Sequence, residues 1–149
     1  MNRSVSAVAG GVAGMAVMSL LLLLLEVETR SRVHLFDAVA RFVGLPGRTA
    51  VGFALFLLAG CVAWPLLFVA LEAYIPGGPD PAARGVLFAG VLWIAFVIVG
   101  RGPIGYADPE FLIYAAVTLI AHFAYGFVLG AVYNRLREDS VVEGMVAPL

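Results

Sequence analysis

Long apolar stretches separated by short polar segments dominate the hydrophobic pattern of this chain. A helix crosses the hydrocarbon core of a bilayer with about 20 apolar residues. Four stretches reach or approach that length, at residues 4–25, 50–71, 81–99 and 109–133, and their charges lie only near their ends. The pattern predicts an all-α fold, in which residues 1–149 form a single membrane domain built as a four-transmembrane-helix bundle.

The segment between the first two spans, residues 31–43, has a different periodicity. Val33, Phe36, Ala40 and Val43 recur every three or four residues, as on one face of a helix. The remaining positions include polar side chains, namely Arg32, His34, Asp37 and Arg41. This segment is too short and too charged to span a bilayer, so the pattern predicts an interfacial amphipathic helix. A short helix packed on the end of the bundle is the alternative.

Local signals mark helix ends and one kink. Asp80 and Asp108 each precede a proline and predict N-caps of the third and fourth spans, and Thr49 predicts the cap of the second. Pro65, after Trp64, lies inside the second span, where it is expected to kink the helix and free a carbonyl about one turn earlier. The polar tail, residues 136–149, is expected to be flexible.

Composition supports the membrane assignment and limits the function classes. Hydrophobic residues make up 62% of the chain and charged residues 13%, whereas soluble domains carry roughly 25% charged residues. A net charge of −1 argues against nucleic acid as a partner, because no basic face is available to neutralise phosphates. The single cysteine, Cys61, excludes an internal disulfide. Arginine counts of four and five on the two sides leave the orientation in the membrane undecided.

Two pairs of glycines at a spacing of four residues predict close helix contacts. Gly10 and Gly14 lie in the first span, and Gly126 and Gly130 lie in the fourth. Glycine at this spacing lets two helix backbones approach closely within lipid. The contact surfaces lie either inside this bundle or against a different membrane subunit, and the sequence leaves both interpretations open.

His122 is the candidate for chemistry, since it lies close to the middle of the fourth span. It belongs to a polar stripe on one side of that helix, formed by Tyr114, Thr118, His122 and Tyr125. Ionisable residues inside a membrane are costly and often functional. The alternative is a neutral imidazole that is hydrogen-bonded within the bundle. A proton relay would need partners at other depths, and the acidic residues all lie near helix ends.

The midpoints of the other spans place further candidate ligands at the depth of His122. They fall near Met15, Cys61 and Trp93, and Met18 follows Met15 by about one turn. A thioether, a thiol and an imidazole resemble a ligand set for Cu(I), and a His/Met pair resembles haem ligation. The candidates are therefore His122 and Met15 for a cofactor, with Cys61 added for a metal. Methionine as core filler and an inert buried cysteine are the alternative, so no cofactor is expected.

Catalytic motifs are missing from the sequence. It contains no HExxH, no glycine-rich phosphate loop, no CxxC and no serine or cysteine nucleophile near a histidine and an acid. No catalytic residue is therefore predicted, and the chain is not expected to be an enzyme.

Several stretches resemble a prokaryotic family of four-helix membrane proteins that is catalogued as a domain of unknown function. They are GGVAGMAVM, DAVARFVG, RGVLFAGVLW and HFAYGFVLGAVY. The resemblance implies the fold and a place in the cytoplasmic membrane rather than an activity. It also implies a link with respiratory gene neighbourhoods of the haem-copper oxidase type. The family histidine corresponds to His122, whereas Trp64 stands where a comparable histidine would be sought in the second span.

Three functional hypotheses follow. The leading one is a non-enzymatic accessory or scaffolding subunit of a larger membrane complex, for example a respiratory or energy-transducing one, with the lipid bilayer and other membrane subunits as partners. It would dock through the glycine pairs and the amphipathic segment. The second is a small haem- or copper-binding membrane protein that uses His122. The third is an oligomeric transporter or a component of a proton pathway.

Overall fold

A computed structural model of the chain describes residues 2–28, 35–100 and 105–146. Within these ranges the chain forms helices joined by turns and contains no strand, which confirms the predicted all-α fold. A π-helical segment, Ala59–Ala63, joins the third α-helix directly to the fourth. The α-helices are α1 Arg3–Glu28, α2 Leu35–Phe42, α3 Thr49–Leu58, α4 Trp64–Leu71, α5 Pro81–Gly100 and α6 Pro109–Val146.

Four regions of these helices are long and apolar enough to cross a membrane. The second span combines α3, the π segment and α4, while α1, α5 and α6 supply the other three. The spans are Arg3–Leu25, Thr49–Leu71, Pro81–Ile98 and Pro109–Arg137. Their mean hydropathy is 2.4 in the first two and 1.9 in the last two. The chain is therefore an integral membrane protein with four spans.

The end of α6 differs from the prediction. Residues 136–149 are expected from the sequence to form a flexible tail, but α6 continues to Val146. Residues 136–146 contain no proline, and arginine and glutamate favour helix in this segment. Nothing in the local sequence therefore stops the helix where the membrane span ends.

Helix α2 packs one face onto α3 and also contacts α5. Phe36 is buried, and its ring centroid lies 4.9 Å from that of Phe53 and 5.7 Å from that of Phe56. Gly52 permits this approach, because a side chain there would overlap the Phe36 carbonyl group. Of the predicted apolar face, Phe36 and Ala40 therefore lie against α3, whereas Val43 is exposed and Val33 lies outside the described residues.

The polar face of α2 carries an ion pair. The Arg41 side chain donates to Asp37, with Nε 2.7 Å from Oδ2, and Asp37 Oδ1 also accepts the Gly47 N–H at 2.7 Å. These bonds tie α2 to the turn that leads into α3. The predicted amphipathic segment is thus helical over Leu35–Phe42, whereas its residues 31–34, with His34, lie outside the described residues.

The N-terminal caps agree with the sequence only in part. Asp80 caps α5, because its Oδ1 accepts the N–H of Ala82 at 2.9 Å. The prediction for Thr49 is wrong: α3 begins at Thr49 itself, and the preceding Arg48 makes no side-chain cap. Asp108 directly precedes α6, and its carboxylate accepts the N–H of Gly105 at 2.6 Å, which closes the preceding turn.

Helices α1 and α6 form the centre of the bundle. They pack along each other, α4 and the π segment pack on α1, and α5 packs on the other side of α6. The second span and α5 meet mainly through side chains. The ring pairs Phe56–Phe96 and Phe68–Phe88 bridge them, with centroids 6.2 Å and 5.6 Å apart. This arrangement leaves a crevice between the second span and α5, with α1 and α6 behind it.

The first glycine pair lies at the contact between α1 and α6. A Cβ added at Gly10 would lie 2.6 Å from the carbonyl oxygen of Leu129, and one at Gly14 would lie 2.9 Å from that of Tyr125. Both distances are shorter than a carbon–oxygen contact allows, so this packing requires glycine at both positions.

The second glycine pair lies at the contact between α6 and α5. A Cβ added at Gly126 would overlap the Gly85 carbonyl and lie 2.6 Å from Ala89 Cβ. One added at Gly130 would lie 2.7 Å from Ala82 Cα. Both pairs are buried between helices of this chain, so these surfaces are occupied by contacts inside the bundle.

The α5–α6 contact provides a test of this packing. We expect Gly126→Ala to lower the free energy of unfolding by about 1–3 kcal/mol or more, because the new methyl group meets backbone atoms that cannot rotate away. Gly90→Ala is the matched control, since its Cβ would meet only the Cε1 atom of Phe123, at 3.3 Å. Circular dichroism during SDS titration of protein in micelles measures both. Equal unfolding midpoints for the two variants would contradict the packing.

Candidate functional site

A cavity of about 280 Å³ lies in the crevice between the second span and α5. Its rim includes Phe42 of α2 and Trp64 of α4, whose side chains are 76% and 38% exposed. Its back wall consists of buried side chains from the two central helices, namely Met15, Met18, His122 and Tyr125. The cavity is therefore open on the outside of the bundle, where α2, the second span and α5 form its rim, and closed by α1 and α6 behind.

His122 contributes an imidazole to the back wall and is only 4% exposed. Its Nδ1 lies 2.7 Å from the carbonyl oxygen of Thr118, one turn earlier on α6. A carbonyl oxygen only accepts hydrogen bonds, so Nδ1 carries the hydrogen and donates it. In the neutral ring Nε2 then carries the lone pair. The ring centroid lies 4.9 Å from that of Phe96, which fixes the orientation of the imidazole from a second side.

Nε2 of His122 has no hydrogen-bond partner among the described residues. The fully enclosed polar atoms without a partner in that part of the chain lie elsewhere, at Ser19, Glu72 and Arg84. Because the imidazole forms part of the cavity wall, the Nε2 lone pair is available to a molecule inside the cavity. Buried polar groups are nearly always hydrogen-bonded, so a buried imidazole with an acceptor that lacks a donor is unusual.

The other members of the polar stripe on α6 have partners. Tyr114, Thr118 and Tyr125 are all buried. The Thr118 hydroxyl donates to the Tyr114 carbonyl at 2.7 Å and accepts the Trp93 indole N–H at 3.1 Å. The Tyr114 hydroxyl donates to the Phe96 carbonyl at 3.3 Å. Tyr114 and Thr118 therefore pack α6 against α5, and the imidazole is the one member of the stripe with a polar side-chain atom, Nε2, that makes no hydrogen bond to the described part of the chain.

The Tyr125 hydroxyl donates to the Gly60 carbonyl at 2.7 Å. That carbonyl would accept from residue 64 in an α-helix and from residue 65 in a π-helix. The N–H of Trp64 donates instead to the Ala59 carbonyl, and Pro65 has no N–H. The π segment and the proline together leave the Gly60 carbonyl without a backbone partner. The carbonyl predicted to be freed before Pro65 is thus the one that Tyr125 binds.

Two of the three predicted metal or cofactor ligands lie at the cavity. Met15 and Met18 line it together with His122, whereas Cys61, half-buried in the π segment, is not a lining residue. The Met15 side chain occupies the space that a side chain at Gly60 would fill. Among the described residues, no three His, Cys, Asp or Glu side chains converge as metal ligands.

A sequence profile of one protein family matches residues 1–143 of the chain. The chain belongs to the DUF6789 family. The description of that family gives no function. No curated protein and no solved structure is significantly similar to the chain. In this DUF6789 protein, the cavity and its polar groups are the features that point to a function.

At one end of the bundle, this DUF6789 protein contains a polar cluster that the sequence pattern does not predict. Glu72, at the end of α4, is buried, and its Oε1 accepts the Tyr133 hydroxyl at 2.9 Å and a guanidinium N–H of Arg3. Arg137 lies with its guanidinium carbon 5.2 Å from the centre of the Tyr133 ring. The cluster joins the start of α1 to the C-terminal ends of the second and fourth spans. The available signal was that all four residues fall on the same predicted side of the membrane.

The bond between Tyr125 and Gly60 gives a quantitative prediction. Tyr125→Phe removes the donor and leaves a buried carbonyl without a partner, which we expect to lower the free energy of unfolding by about 1–3 kcal/mol. In a Pro65→Ala background residue 65 regains an N–H, so the same change should cost less. A double-mutant cycle measured by SDS titration gives the difference, and we expect a coupling of at least about 0.5 kcal/mol.

Tyr74→Phe serves as the control for this cycle, since Tyr74 is 84% exposed and should show no coupling to Pro65. The assignment would be wrong if Tyr125→Phe cost the same amount with and without Pro65.

Proposed function

We propose that the protein binds a lipophilic small molecule that reaches the cavity from the bilayer. The observation that carries the proposal is the unpartnered Nε2 of His122 on the wall of a largely apolar cavity. Ligand pockets in proteins are typically concave and apolar, with a few placed polar groups, and occupy roughly 300–1,000 Å³. A cavity of about 280 Å³ fits the lower end of this range.

The position of the cavity supports access from lipid. His122 lies one residue from the centre of its span, Pro109–Arg137, whose midpoint is residue 123. The exposed rim side chains, Phe42 and Trp64, belong to helices on the outside of the bundle. A molecule dissolved in the hydrocarbon layer therefore meets the rim directly, whereas a water-soluble molecule would have to cross apolar surface.

A soft metal ion is the second candidate ligand. Met15, Met18 and His122 line the same cavity, and thioether sulfur and imidazole nitrogen are ligands that Cu(I) accepts. The cavity volume suits a single ion better than a haem macrocycle. Metal analysis after anaerobic loading with Cu(I) separates the two candidates. Tightly bound copper that Met15→Leu releases would favour the metal over the lipophilic molecule.

The role of an accessory subunit of a membrane complex stays a prediction from the lack of catalytic motifs and the glycine pairs, and the cytoplasmic membrane of a prokaryote stays a prediction from the resemblance. The glycine pairs proposed for docking are occupied by contacts within the bundle, so a partner subunit would have to use another surface. A proton pathway has less support. Glu72 and Asp108 lie at the ends of spans, at opposite ends of the bundle, whereas His122 lies near the middle of its span.

Filling the cavity tests ligand binding. Trp64 lines the cavity, so a brominated hexylbenzene bound there should quench its fluorescence in a saturable manner. We expect Ala95→Phe to abolish this saturable quenching, because Ala95 lines the cavity and the added ring occupies its volume. The measurement uses lipid nanodiscs and a Trp93→Phe background, which leaves Trp64 as the only tryptophan.

Ile94→Phe is the matched control, since Ile94 precedes Ala95 on α5, is exposed and does not line the cavity. Quenching that rises linearly with probe concentration in the parent protein, as for simple partition into lipid, would contradict the proposal. So would equal loss of quenching in both phenylalanine variants.

A further inference from the structure

We infer that the ligand of this cavity is a lipophilic alcohol or phenol, whose hydroxyl donates a hydrogen bond to Nε2 of His122. The inference rests on the proposed function and adds the chemical class of the ligand. Its first premise is the bond from Nδ1 to the Thr118 carbonyl, which places the hydrogen on Nδ1 and the lone pair on Nε2. At the back wall the imidazole therefore acts as an acceptor.

The other polar atoms of the back wall are acceptors as well. The hydroxyl hydrogen of Tyr125 is committed to the Gly60 carbonyl at 2.7 Å, so Tyr125 has only an oxygen lone pair left to offer. The sulfur atoms of Met15 and Met18 are weak acceptors. Among the lining residues, the indole N–H of Trp64 is the remaining side-chain donor, and it belongs to the rim rather than to the back wall.

A wall that offers acceptors selects for a ligand that offers a donor. A ligand with only carbonyl or ether oxygens would place its own acceptor beside the Nε2 lone pair and leave Nε2 without a hydrogen-bond donor. A hydroxyl group satisfies Nε2, while an attached ring or alkyl chain fills the apolar remainder of the cavity. A site built around one hydrogen bond discriminates against analogues that lack it. We expect roughly tenfold tighter binding of the hydroxyl compound, as one net hydrogen bond provides.

The preference for a hydroxyl donor is built into the protein, because contacts within the bundle fix the tautomer and the orientation of His122. The acceptor of the Nδ1 hydrogen is a backbone carbonyl four residues earlier on the same helix, so the tautomer is fixed before any ligand arrives. The Phe96 ring, with its centroid 4.9 Å from that of the imidazole, restricts rotation of the ring. A ligand therefore meets an acceptor that is already formed and oriented.

The test compares a brominated hexylphenol with its methyl ether, which differ only in the hydroxyl hydrogen and one methyl group. Both are titrated into the protein in lipid nanodiscs, with Trp64 fluorescence as the readout in the Trp93→Phe background. We expect the phenol to bind about tenfold more tightly than the ether. We also expect His122→Leu to lower the affinity for the phenol to that for the ether, because leucine fills similar volume without an acceptor.

A second measurement needs no substitution at the histidine. In protein labelled with nitrogen-15 histidine, the Nε2 signal of His122 should move upfield when the phenol is added and stay in place with the ether. His34, the other histidine of the chain, supplies a reference signal. This arm remains decisive if His122→Leu does not fold.

The outcomes separate the inference from the proposed function. Equal saturable binding of phenol and ether by the parent protein would overturn the inference and leave the proposed function standing. Saturable binding of neither compound would overturn the proposed function itself. A preference for the phenol that persists in His122→Leu would also overturn the inference, since another group would then be the acceptor. Copper that displaces the bound phenol would assign Nε2 to the metal instead.

Discussion

The hydrogen bond from the Tyr125 hydroxyl to the Gly60 carbonyl is the interaction on which the centre of the molecule depends. It exists because the π segment and Pro65 leave that carbonyl without a backbone donor. The bond fastens the second span to α6 at the level of the cavity, and Met15 of α1 packs into the space beside Gly60. The π segment with Pro65 is thus the point at which the second span, α1 and α6 contact one another beside the cavity.

Much of the fold follows from the sequence because its cause is local. Span length and apolar composition alone determine four membrane-crossing helices, and the small size of glycine determines where α1, α5 and α6 approach closely. The end of α6 does not follow from the sequence in this way, because the signal that marks it concerns the membrane span and not the helix. A change from apolar to polar composition marks the end of a membrane span but does not end a helix, which requires a breaker.

The sequence predicts the candidate site less completely than the fold. The position of a residue in the sequence gives its depth along a span, but not the neighbouring helix or cavity that its side chain faces. The span midpoints predict a shared depth for Met15, Cys61 and His122, yet of these three only Met15 and His122 line the cavity. Gly60 and Cys61 are neighbours in the π segment, and adjacent residues of a helix point in directions about 100° apart. The contact of Glu72 with Arg3, 69 residues away in the chain, likewise needs the folded arrangement.

Both polar regions of the bundle contain an acceptor without a partner among the described residues, but only that of His122 borders the cavity, and this contrast supports a ligand-binding role there. At the membrane end, Glu72 Oε1 accepts hydrogen bonds from Arg3 of α1 and Tyr133 of α6, and the Glu72 Oε2 atom is enclosed by protein without a partner in the described part of the chain. At mid-membrane, every hydroxyl of the stripe on α6 donates a hydrogen bond, whereas Nε2 of His122, on the wall of the cavity, makes none to the residues that the structure describes. In lipid, where water cannot satisfy that acceptor, a bound molecule is the remaining source of a donor.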